Sequence, residues 1–151
     1  MKVTAKADYA VRAVLELGAS DGELVKADVI AAAQGIPRHF LDNILTDLRR
    51  AGIVATQRGA DGGSRLARPA KDIMLADVMR AIEGPLAAVR DIRPEALSYD
   101  GAAERLPDVW IAVRAALRSV LESVTVADVA AGRLPKSVER MVADPEAWKP
   151  H

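Results

Sequence analysis

The stretch that most constrains this chain is a helical stripe running straight into a glycine-rich hairpin. Phe40, Leu41, Ile44, Leu45 and Leu48 recur at i, i+1, i+4, i+5 and i+8. One face of a helix from about Pro37 to Ala51 must therefore be buried, and Gly52 ends it. Ile53–Gln57 and Arg65–Arg68 read as short strands, with the loop Arg58–Ser64 (RGADGGS) between them. Neither a single amphipathic helix nor a two-stranded hairpin is stable alone, so both need neighbours.

The neighbours lie on either side. Thr4 is a candidate N-cap and Gly18 a stop for a first helix carrying Tyr9, Val11, Ala13, Val14 and Leu17. A second, short helix spans Lys26–Gln34, with Val29, Ile30 and Ala33 on its apolar side, and Gly35 ends it. Pro37 suits the first turn of the third helix, where a missing N–H goes unnoticed. After the hairpin, a helix beginning near Asp72 carries Ile73, Leu75, Val78, Met79 and Ile82 and stops at Gly84-Pro85. Half the residues are hydrophobic but only five are aromatic, so the core must be aliphatic. Three helices, a hairpin and a helix are the order of a winged helix-turn-helix, a mainly α fold with a small β-hairpin.

Beyond Gly84 the pattern changes. Residues 85–105, with Pro94, Tyr99, Asp100 and Gly101, show no sustained period and read as a loop with at most a short helix. Pro107 opens a long helix to about Val124, where Leu106, Trp110, Val113, Leu117, Val120 and Val124 are spaced 4, 3, 4, 3, 4. That alternation is the seam of a coiled coil and predicts a helix that pairs with a second copy. Thr125 is a candidate cap for a short helix to Ala131. Pro135 and Pro145 break the remainder, which reads as partly ordered. The expected organisation is a winged-helix unit over 1–84, a linker over 85–105, a dimerisation helix with its short follower over 106–131, and a tail over 132–151.

Charge and composition exclude several classes. Twenty-one basic residues balance 21 acidic ones, so bulk charge does not hold this chain on a polyanion. Locally, Ile36–Lys71 carries seven basic residues against three acidic, an excess of four. The absence of cysteine excludes disulfides, thiolate metal sites and cysteine-ligated iron–sulfur clusters. No apolar run approaches the roughly 20 residues of a membrane span, and polar residues interrupt the N-terminus, so a cytoplasmic protein without membrane contact is expected. No metal or cofactor is predicted.

The chemistry of the third helix and the hairpin suits nucleic acid. Arg38 can reach a phosphate or a guanine edge, Asn43 can pair with adenine, Asp42 can accept from cytosine N4, and His39 can do either. Arg49 and its neighbour Arg50 can clamp phosphates, or simply complement the helix dipole. Arg58 and Arg65 bracket the hairpin loop, where an arginine can enter a narrow minor groove. Gly59, Gly62 and Gly63 allow close backbone approach and offer amides to phosphate oxygens.

Residues 1–84 resemble the IscR/NsrR/CymR-type family of bacterial winged-helix regulators. The likeness rests on KVTAKADYAVRAV (2–14), VIAAAQGIPRHFLDNILTDL (29–48), AGIVATQRGADGGSRL (51–66) and IMLADVMRAIE (73–83). The RGxxGG pattern followed by RLAR is its most specific part, and it continues more loosely through Leu106–Val129. The resemblance implies a homodimer on a pseudo-palindromic operator, with His39, Asp42, Asn43 and Arg58 at DNA-contacting positions. Many members sense iron–sulfur status through three cysteines between the fourth and fifth helices. Here residues 86–105 hold none, Ser64 stands where an aromatic is common, and Asp8 and Arg12 occupy positions that supply cluster ligands in some relatives. His39 and His151 are the only histidines, and neither lies near the linker.

Three function classes follow. The first is a sequence-specific transcription regulator, a repressor by expectation, whose effector, a small molecule or protein, is open. The alternative is a winged-helix interaction module or adaptor without direct DNA readout, which the zero net charge suits. An enzyme is disfavoured, because two poorly placed histidines and no cysteine give no nucleophile–base pair.

Overall fold

The structure is a computed structural model and describes residues 2–150. Its elements are α1 (Ala5–Gly18), α2 (Ala27–Gln34), α3 (Arg38–Arg50), β1 (Val54–Gln57), β2 (Gly63–Leu66), α4 (Leu75–Glu83), α5 (Leu106–Leu121), α6 (Val126–Ala130) and α7 (Lys136–Ala143), with short 3-10 turns between some of them. Thr4 caps α1 by accepting from the Ala7 N–H. Gly35 ends α2 in the left-handed region at φ 61°, where a side chain would be strained. That single residue sets the sharp turn into α3. The Arg12 guanidinium ties the same corner to α1 by donating to the Gln34 carbonyl at 2.6 Å.

The core is aliphatic, as the composition requires. Val14 and Leu17 of α1, Ile30 of α2, Leu41, Ile44 and Leu48 of α3, and Ile73 and Val78 at α4 are all essentially sealed from solvent. The stripe on α3 holds at four of its five positions. Phe40 is the exception at 47% exposed; it lies at the edge of the buried arc and its ring rests beside Tyr9 and His39, with centroids 6.2 and 4.4 Å away. On α2 only Ile30 is buried, while Val29 and Ala33 face out, because so short a helix meets its neighbours along a single line.

The hairpin pairs Val54 with Leu66 and Gln57 with Gly63 in antiparallel register. The second strand thus begins two residues earlier than the sequence pattern suggests. The cause is Val25, which exchanges two 2.9 Å backbone hydrogen bonds with Ser64 and draws Gly63 and Ser64 into the ladder. Gly63 is required there, since a Cβ would stand 2.8 Å from the Val25 carbonyl oxygen.

The fourth helix starts at Leu75 rather than near Asp72, which sits in a preceding 3-10 turn. The linker contains two 3-10 turns, Pro94–Ala96 and Gly101–Ala103. The long helix ends at Leu121, short of Val124. Val124 instead turns back towards the first core: its carbonyl accepts from Leu75, and the Val126 N–H donates to Ile73, both at 2.9 Å. Val126 is fully buried within the core cluster and packs close to Gly18 of α1. The core therefore continues past Gly84 to include α6, whose Thr125 cap forms as expected, with Asp128 accepting from the Thr125 N–H. The tail is ordered into α7 and a 3-10 turn, because Lys136–Ala143 is amphipathic and buries Val138. No helix of the described residues is long and apolar enough to cross a membrane.

Candidate nucleic-acid interface

The buried stripe of α3 fixes which side chains look outward. At 100° per residue, positions 39, 43, 46 and 50 form one row opposite the stripe. His39, Asn43 and Arg50 are exposed, with Thr46 half-buried at the foot of the row. Asn43 and His39 make no side-chain hydrogen bond or ion pair among the described residues, so their polar atoms are available. Thr46 and Arg50 belong to this row although the sequence pattern singles out neither as a base reader. Their 4, 3, 4 spacing with His39 and Asn43 was the available signal.

Arg38, Asp42 and Arg49 lie on the flank that faces the hairpin. Arg38 is engaged on both sides: its Nε donates to Asp28 of α2 at 2.8 Å and its Nη1 pairs with Asp42. Asp42, then Asp28, raise the Arg38 pKa above its ordinary value. The pair occupies both groups expected to contact DNA separately. Arg49 makes no ion pair among the described residues. A groove of about 230 Å³ runs between this flank and the hairpin, floored by Thr56 and Ser64, whose hydroxyls stand 3.4 Å apart. Ser64 is buried there.

The hairpin residues divide. Arg58 and Gly59 sit at the exposed tip, where Gly59 has φ 110°. The Gly62 N–H is already used on the Gly59 carbonyl at 3.0 Å, and a Cβ at Gly62 would collide with the Gln57 carbonyl oxygen. Gly62 and Gly63 thus shape the loop and strand rather than present amides outward. Arg65 alternates with buried Ser64, and lies on the opposite side of the hairpin, near Leu17 and Asp21. It is not on the groove face with α3.

Residues 3–132 match the Rrf2 family, described as iron-dependent transcriptional regulators. The chain belongs to the Rrf2 family. An HTH-type transcriptional regulator named from Mycobacterium tuberculosis (strain H37Rv) is 53% identical over 145 residues, covering 95% of this chain and 90% of that protein. CymR of Bacillus subtilis is 34% identical over 131 residues, covering 86% and 90%. The solved structure of CymR, the global cysteine regulator of that organism, superposes with a TM-score of 0.72 at 31% identity over 87% of this chain and 98% of CymR. T. potens IscR superposes with a TM-score of 0.69 at 30% identity, over 99% and 97%. This Rrf2 protein is a transcription regulator with the winged-helix fold of those relatives.

The family's description raises iron, and the donor set here does not fit a cysteine-ligated cluster. The chain has no cysteine. Asp8 is paired to Arg12 at 2.8 Å, His39 stands on the outer row of α3, and His151 lies outside the described residues. Among the described residues no three His, Asp or Glu side chains gather closely enough to hold a metal ion.

The predicted dimer residues lie together on α5, except Val124. Leu106, Trp110, Val113, Leu117 and Val120 are all half-buried against their own chain, while Val124 is buried beyond the helix. Val109 and Ile111 are 51% and 37% exposed, and Ala112, Ala115 and Ala116 beyond them are exposed too.

Proposed function

We propose that this Rrf2 regulator binds double-stranded DNA as a homodimer and represses transcription from a pseudo-palindromic operator, without a cysteine-ligated iron–sulfur cluster. The observation that carries the reading is the outward row of α3: His39, Asn43, Thr46 and Arg50 lie in line, beside an exposed Arg58 at the hairpin tip. A helix with this row enters the major groove, where Asn43 pairs with adenine and His39 or Arg50 with guanine or phosphate. Arg58 follows into the adjoining minor groove and Arg49 lies over the backbone.

Pairing through α5 supports the dimer. Sixteen residues without one fully buried side chain are unusual for a helix this apolar, and a second copy would cover Val109, Val113, Ala116 and Val120. Two α3 helices held by one two-fold axis read half-sites about 34 Å apart.

A second reading, an adaptor without DNA readout, draws on Arg38 being ion-paired to Asp28 and Asp42. The two readings separate on salt. Binding of pure protein to promoter fragments should weaken steeply between 50 and 200 mM salt, about tenfold or more, because each phosphate contact releases counterions. Binding that is flat in salt, or absent at low salt, favours the adaptor. The purified protein should also be colourless and bind equally with and without reductant.

A further inference from the structure

A cavity of about 540 Å³ opens between the end of α4, the linker and α5. Four arginines converge on it: Arg80 from α4, Arg93 from the linker, and Arg114 and Arg118 from α5. Leu86 and Glu95 complete the parts that matter here. Only two carboxylates answer the four guanidiniums. Arg114 pairs with Glu95, and Arg80 and Arg118 share a single oxygen of Glu122. The Arg93 side chain has no hydrogen-bond or ion-pair partner among the described residues.

A guanidinium carries five N–H donors and no acceptor, and cannot lose its charge in a protein. Two surplus charges and many unused donors facing one recess call for an anion. The chain as a whole is neutral, so the excess is local to this site. The volume falls within the range of small-molecule sites, and Leu86, nearly buried, offers an apolar wall for a short carbon skeleton.

We infer that this cavity binds a small dianion, carrying two carboxylates or a phosphate. Its walls come from both α4, which packs on α1 and α3, and α5. A bound dianion ties the reading unit to the pairing helix, so under the DNA-regulator reading, on which this consequence rests, it is the effector site.

Calorimetric titration of the full chain tests the site without DNA. Succinate and inorganic phosphate are the probes, against chloride at equal ionic strength. At least one should show a saturable site per protomer, and the one that does identifies the anion class. The Arg93 side chain makes no hydrogen bond or ion pair in the fold, so Arg93→Gln should fold as the parent does and bind that probe about tenfold more weakly, as expected for one lost charge-assisted contact. Arg133→Gln, away from the cavity, should bind as the parent does. If neither probe gives saturable heat beyond chloride, or Arg93→Gln binds as tightly as the parent, the site is refuted. If the anion binds and no DNA fragment does, the cavity stands and the regulator reading fails.

Discussion

Helices α3 and α5 are close in length and opposite in situation. α3 sends Leu41, Ile44 and Leu48 into its own core and leaves a polar row outside. α5 is the more apolar of the two, yet it buries no residue fully. A helix whose apolar face is satisfied at home is fixed in place and can present side chains to a ligand. A helix whose apolar face is half-satisfied is completed by another surface. Under the proposed function the two helices divide reading from pairing, and substitutions should separate them.

The largest effect should come from the sealed stripe. Ile44→Ala should lower the unfolding free energy by about 2–5 kcal/mol, read by denaturant titration, because the cavity it leaves cannot fully collapse. The double substitution Val109→Asp, Val113→Asp on α5 should instead convert dimer to monomer in sedimentation, with helix content retained. If the α5 variant unfolds the chain, or stays folded and dimeric, the division of labour is wrong.

Within α3 the effects should be smaller and distinct. Asn43→Ala should weaken specific binding by about 1–3 kcal/mol and relax selectivity at one base position. Arg49→Ala, which removes a backbone contact, should weaken binding to all sequences alike and reduce the salt slope by about one. Electrophoretic shifts on operator and scrambled DNA measure both.

The smallest effect concerns the return of α6 to the core. The Thr125 N–H and hydroxyl hold the Asp128 carboxyl below its usual pKa. Its contribution to stability is therefore present above the unfolded carboxylate value and lost as pH falls through the lower folded value. Asp128→Asn should melt below the parent at neutral pH and converge with it in acid. A constant difference across pH would show that the cap acts through packing alone.

Most of the first five elements could be read from the sequence, because each carries a local signal: the Thr4 cap, the Gly35 corner, the stripe on α3 and the glycines of the hairpin. What escaped depends on partners distant in the chain. Val25 shifts the second strand to Gly63, which places Arg65 on the far side. Asp28 of α2 reaches Arg38 and takes it out of the free set. Val124 continues the seam in spacing, yet its backbone pairs with Leu75 and ends the helix early. Arg118–Glu122 is an i,i+4 pair, but the arrival of Arg80 from α4 on the same Glu122 oxygen has no short-range signature. The outward row of α3 is half legible: the sequence pattern singles out His39 and Asn43, while Thr46 and Arg50 share their spacing without being singled out as base readers.

The central claim is that α3 of a dimer reads DNA. Pure full-length protein incubated with sheared genomic fragments at low salt, followed by sequencing of what it retains, tests this most directly. The account predicts a small set of fragments sharing an inverted repeat with half-sites about one helical turn apart, lost when Asn43 and His39 are both replaced by alanine. Retention of no fragment, or an unchanged set with that double variant, would contradict it.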